Sequence, residues 1–157
     1  MIFISYRRAD AAGHAGRLFD RLGARYGRGR VFMDVDTIRP GEDFERLIQE
    51  RVGTCEALVV LIGDDWLEVR DPRGRRLDQA DDPVRVEIAG ALARGIPVFP
   101  VLVEGASMPA AEALPEVLRP LTRLQALPLS DARFDGELQE LVRVLDRHVS
   151  LGMSGSR

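Results

Sequence analysis

Ala57-Leu58-Val59-Val60-Leu61-Ile62 is an unbroken apolar run. Its apolar and polar positions do not alternate, so neither face of such a strand is made for water. A run of this kind suits a strand covered on both faces, as in a parallel sheet packed between helices. The segment before it, Asp43 to Val52, predicts a helix with Phe44, Leu47, Ile48 and Val52 turned inward. The segment after it, Gly63 to Asp81, is a long polar connection containing Trp66. A connection of that length inside a compact domain is functional or mobile.

A second helix opens at Asp82. Its carboxylate suits an N-cap, and Pro83 falls at the first helical position, where a missing N–H costs nothing. Val84, Ile88, Ala91 and Leu92 repeat at helical spacing up to the stop at Gly95. At ~100° per residue Glu87 falls at the rim of that buried face. A carboxylate in the first turns of a helix that follows a strand stands where open α/β sheets place ligands, which makes Glu87 the candidate catalytic residue. The position also suits a plain solvated glutamate favoured by the helix dipole.

The remaining segments extend the alternation. Ile2 to Tyr6 reads as a strand, followed by Arg7, Arg8 and Asp10 as a polar loop. Ala11 to Tyr26 reads as a helix stopped by Gly27 and Gly29. Val31 to Met33 is a strand ending in Asp34, and Val35 to Gly41 is a loop with a Pro40-Gly41 turn. Ile96 to Val103 is a further strand. Pro97 suits its start, whereas Pro100 argues for an edge or a bulge. Glu104 to Pro120 holds a short helical turn, Leu124 to Leu129 a last strand, and Phe134 to His148 a terminal helix with Leu138, Leu141, Val142 and Leu145 on one stripe. The order β-α-β-α-β-α-β-(α)-β-α predicts a flavodoxin-like, five-stranded parallel sheet with helices on both faces.

The 157 residues carry a formal net charge of −3, which gives no electrostatic argument for nucleic acid or an anionic membrane. The arginines at 25, 28 and 30 and at 70, 73, 75 and 76 read as solvated loops. The lone cysteine, Cys55, excludes an intrachain disulfide and a cysteine zinc site, and reads as a small buried hydrophobe. No apolar run reaches the ~20 residues of a membrane span, and no signal peptide precedes the first strand. The expectation is a cytoplasmic domain over residues 1–149, with residues 150–157 as a flexible tail or the start of a linker to another domain.

Several chemistries are excluded. Ser5 has no evident histidine partner, since His14 and His148 both fall on helices. No glycine-rich phosphate loop follows the first strand. Asp34, Asp36, Glu42 and Asp43 match no EF-hand spacing and read as loop and cap residues, so no metal is expected.

Four segments in order resemble TIR domains of the bacterial type. They are Ile2-Phe3-Ile4-Ser5-Tyr6-Arg7-Arg8, then Val31 to Asp36 through Pro40 to Phe44, then Val84 to Ile88, then Gly95 to Val101. The resemblance runs from Ile2 to about Val149. It implies either an adaptor that binds other TIR domains or an enzyme that cleaves the N-glycosidic bond of NAD+. The enzyme would release nicotinamide and leave ADP-ribose or a cyclised form, with NAD+ as substrate and no cofactor. The glutamate that carries this activity maps to Glu87. The aromatic residue often found four positions before it is Pro83 here, so either Trp66 takes over as the shield or the site lacks one. Tyr6, Arg7, Arg8, Asp34 and Trp66 are the candidate substrate-binding residues. Arginine suits a pyrophosphate, and tryptophan suits stacking on nicotinamide or adenine. Each also has a plain reading, as a surface loop, an Asx-turn or a hydrophobic plug. The resemblance further implies self-association through Val35 to Gly41, a fused sensor domain and a role as effector of a bacterial anti-phage protein. A deoxyribosyltransferase and a phosphoacceptor domain share the layout. The second lacks its acidic pair after the first strand.

Overall fold

The computed structural model describes residues 1–33 and 41–151. Five strands, β1 (Ile2–Ser5), β2 (Val31–Phe32), β3 (Ala57–Ile62), β6 (Val98–Val103) and β7 (Leu127–Leu129), form one sheet in the order β2-β1-β3-β6-β7. Every neighbouring pair in it is parallel. This is the flavodoxin-like sheet that the alternation predicts. β3 lies at its centre with all six residues buried, which is why its sequence is apolar throughout. Both edges are short, two residues at β2 and three at β7, which limits open pairing sites.

Helices α1 (Arg8–Tyr26) and α4 (Phe134–Leu145) cover one face, packing Leu18, Leu22, Leu138 and Leu141 against Ile2, Ile4, Val59 and Leu61. Helices α2 (Phe44–Gly53) and α3 (Pro83–Ala93), with the 3-10 segment Glu116–Arg123, cover the other face over Phe3, Leu58, Val60 and Ile62. The sheet alternation therefore divides the apolar residues between two cores. No helix among the described residues is long and apolar enough to cross a membrane.

Some expectations need correction. Arg8 and Asp10 are not loop residues: α1 begins at Arg8, and a non-helical Ala11 (φ −141°, ψ 29°) divides its first turn from the rest. The long polar connection after β3 carries short elements of its own. It contains a hairpin of β4 (Arg70–Asp71) and β5 (Gly74–Arg75), turned at Gly74 with φ +116°, and a 3-10 turn over Arg76–Asp78. Pro100 is not on an edge strand, since β6 lies between β3 and β7. The Pro97 carbonyl accepts from the Leu58 N–H, so Pro97 faces β3. By the two-residue alternation Pro100 faces the opposite side, where β7 pairs only from Val101 onward. Its missing donor therefore costs no ladder bond. The last strand starts at Leu127 and the terminal helix ends at Leu145, both shorter than expected.

Candidate active site

The winding reverses between β1 and β3: β1 is followed in chain order by edge strand β2, and β3 by β6 on the other side. At the carboxyl ends of these strands lies an open cleft of about 430 Å³. Crevices at such reversals are the usual ligand sites of open α/β sheets. Tyr6, Arg7, Arg8 and Ala9 line it from the end of β1, Met33 from the end of β2, and Phe44 from the start of α2. Val69 and Arg76 come from the connection after β3, and Pro83, Val84 and Glu87 from the start of α3.

The α3 end is built as its sequence requires. Asp82 caps it by accepting the Arg85 N–H at 3.1 Å, and Pro83 occupies the first turn. Glu87 follows on the second turn and is 5% exposed, one of few charged residues so deeply buried. The burial arises because α3 is enclosed on nearly every side, with Val84, Val86, Ile88 and Ala91 buried as well. A carboxylate with so little contact with water interacts strongly with any charge that enters the cleft.

Arg7 joins β1 to this helix. Its Nη1 donates to Asp82 Oδ1 at 2.6 Å and its Nη2 to Asp82 Oδ2 at 2.5 Å, with side chains 3% and 1% exposed. The guanidinium is thus committed to an internal bidentate pair. The same side chain also lines the cleft. A second guanidinium, that of Arg76, approaches Asp82 Oδ1 at 3.3 Å.

The other candidates divide. Tyr6 and Arg8 stand in the cleft wall beside Glu87. Trp66 does not: it is fully buried among the residues under α3, and its indole N–H has no hydrogen-bond partner. The expected stacking platform is therefore a core residue, and the aromatic rings in the described wall are Tyr6 and Phe44. Asp34 and the loop from Val35 to Pro40 lie outside the described residues. Cys55 is buried as expected, and burial pushes its thiol up to about 11.

Two contributors escaped the sequence reading. Asp10 ties the start of α1 to the end of β3, accepting the Gly63 N–H at 2.8 Å and the Asp65 N–H at 2.9 Å. Arg76 belongs to an arginine run that reads as a solvated loop, yet it lines the cleft. The visible clue was its place on the polar connection that leads into Asp82, six residues before the cap.

A family model described as the TIR domain matches residues 2–142. The solved TIR domains of the activated Roq1 resistosome directly recognizing the pathogen effector XopQ are similar in structure. They give a TM-score of 0.63 at 14% identity, covering 92% of this chain and 98% of that one. A metazoan TIR-STING receptor from C. gigas, in complex with 2',3'-cGAMP, gives a TM-score of 0.56 at 20% identity, covering 88% of this chain. This chain spans 38% of that receptor's length. At these identities the likeness shows the fold. No curated protein matches.

Proposed function

The chain belongs to the TIR domain family, and from that premise we propose that it is an NAD+ glycohydrolase with Glu87 as the catalytic residue. The observation that carries this reading is a 5%-exposed carboxylate in the wall of the cleft at the sheet's reversal. In NAD+ the nicotinamide ring nitrogen is already positively charged. When the bond from ribose C1′ to that nitrogen breaks, the electron pair goes to the ring and leaves neutral nicotinamide. No general acid is needed. The ribose becomes oxocarbenium-like, as in glycoside cleavage. The Glu87 carboxylate stabilises that cation and accepts hydrogen bonds from ribose hydroxyls, gaining strength as positive charge develops. Water then attacks C1′ and loses a proton to give ADP-ribose, or the adenine of the same molecule attacks to give a cyclic product.

The same reading makes the protein a cytoplasmic effector or signalling module of bacterial antiviral defence. A fused sensor would switch it on through self-association that includes the loop from Val35 to Gly41. A second reading is a non-enzymatic module that binds other TIR domains. It is favoured by Pro83, which stands in the cleft wall where the enzymatic relatives often carry an aromatic. Incubation of the concentrated protein with NAD+ and, separately, with deoxynucleosides separates these possibilities. Nicotinamide released from NAD+ by the unsubstituted protein and lost in Glu87→Ala supports the glycohydrolase. Deoxynucleoside cleavage alone supports the transferase layout, and no cleavage of either supports the binding module.

A further inference from the structure

Four arginines crowd the span from Arg70 to Arg76. Three of them pair with exposed acids of the same connection. Arg70 pairs with Glu68 at 3.4 Å, Arg73 with Asp81 at 3.1 Å, and Arg75 with Asp78 at 2.8 Å. Arg76 is placed differently. The acid it reaches, Asp82 at 3.3 Å, is already held by both Nη atoms of Arg7 and by the Arg85 N–H. Asp82 is shared between two guanidinium groups, so Arg76 is not sealed into a pair of its own in the cleft that it lines. Its side chain is 36% exposed, enough to meet a ligand, whereas Arg7 is sealed in at 3%.

The backbone around Arg76 is held firmly. Its N–H donates to the Val69 carbonyl at 2.9 Å, closing the base of the hairpin. Gln79 Nε2 donates to Asp71 Oδ1 at 2.9 Å, and Arg75 Nη2 to the Ala113 carbonyl at 2.5 Å. The first turn of α3 stands in the same wall and adds the positive end of its dipole. The backbone that carries Arg76 is therefore fixed beside the cleft, which leaves only side-chain freedom to be lost when an anion binds.

We infer that Arg76 is a specificity-determining residue of this cleft, donating to phosphate oxygens of a nucleotide substrate. The inference rests on the glycohydrolase reading of the same site. It adds that the cleft selects the phosphorylated dinucleotide over the corresponding free nucleoside, through a residue of the hairpin connection rather than through Arg7.

Calorimetric titration with ADP-ribose and with nicotinamide riboside tests it on the unsubstituted protein, Arg76→Ala, Arg76→Lys and Arg70→Ala, with thermal melts as a check on folding. Loss of one charge-assisted contact is expected to weaken ADP-ribose binding by roughly tenfold to a hundredfold in Arg76→Ala. Arg76→Lys should fall between, Arg70→Ala should bind as the unsubstituted protein does, and nicotinamide riboside should bind all four alike. Undiminished ADP-ribose binding by Arg76→Ala overturns the inference. So does an equal loss for both ligands, or no ADP-ribose binding by any of the four. Binding needs no turnover, so the two proposals fail separately. Arg76-dependent binding without nicotinamide release would remove the glycohydrolase alone. Glu87-dependent release with Arg76-independent binding would remove the Arg76 assignment alone.

Discussion

Glu87 and Asp82 are both nearly sealed from water, at different places on the first turns of α3. Asp82 is held by the Arg7 fork and the Arg85 N–H and is not among the cleft-lining residues, and Glu87 lines the cleft. Replacing Glu87 with glutamine keeps the shape and removes the charge. Nicotinamide release should then fall by at least ~100-fold, the usual scale for one electrostatic contact to a developing charge, while the fold is kept. Stopped assays of Glu87→Gln beside its melting curve check both halves. Cys55 gives a pH prediction. Burial moves its thiol from 9.0 up to about 11. Below pH 9 it is protonated in both folded and unfolded chains. Between 9 and about 11 only the unfolded chain ionises, so stability is expected to fall as pH rises through that window. Burial also raises the Tyr26 hydroxyl, which acts in the same direction. Denaturant melts of Cys55→Ala should show a shallower loss across the window than the unsubstituted chain. An identical slope would remove the thiol from the account. At this scale the sequence was half legible. Asp82, Pro83 and Glu87 could be read because helix-start chemistry is local. Arg7 could not, because its partner lies 75 residues away, and a lone tryptophan in a polar connection gives no sign of whether it faces a ligand or a core.

Helix α3 is the element on which the site depends, and its first turn is held from outside. Removing one member of a buried ion pair leaves the other charge stranded, at a typical cost of 3–5 kcal/mol. Arg7→Ala is therefore expected to lower stability by about 3 kcal/mol or more, with Asp82→Ala as costly because it also removes the cap. Urea unfolding measures both. Together they should cost much less than the sum, since each alone already breaks the pair. The end of β3 offers a steric counterpart. A Cβ on Gly63 would stand 2.4 Å from Asp10 Oδ1. Gly63→Ala must push that carboxylate off the Gly63 and Asp65 N–H groups, and is expected to destabilise by ~1–3 kcal/mol. Added to Asp10→Ala it should cost little more, and full additivity in the melts would contradict this packing. Element types were well signalled in the sequence. The apolar run at β3 and the stripe on α4 lie where expected, since burial on two faces or on one stripe leaves a periodic mark. The hairpin from Arg70 to Arg75 left no such mark. Its strands are two residues long and held by side-chain bonds such as Gln79 to Asp71, which no periodicity records.

Taken whole, the molecule is a sheet whose winding reversal brings five parts of the fold to one cleft. That explains why the fold could be read from alternation alone while the wall of the site could not. Met33, Phe44, Val69 and Arg76 meet Glu87 only after the sheet has closed. If activity is set by assembly, its level reports the population of an assembled state rather than a property of one chain. Turnover per chain is then expected to rise with protein concentration, in step with sedimentation, and to fall on dilution. A flat profile would mean that a single copy holds the whole site. The most direct test of the central claim is a time course of NAD+ followed by proton NMR, with concentrated protein and its Glu87→Gln variant folded to the same extent. The account expects free nicotinamide resonances to grow in the first sample and to stay at the uncatalysed level in the second. Growth at the same rate in both would contradict it.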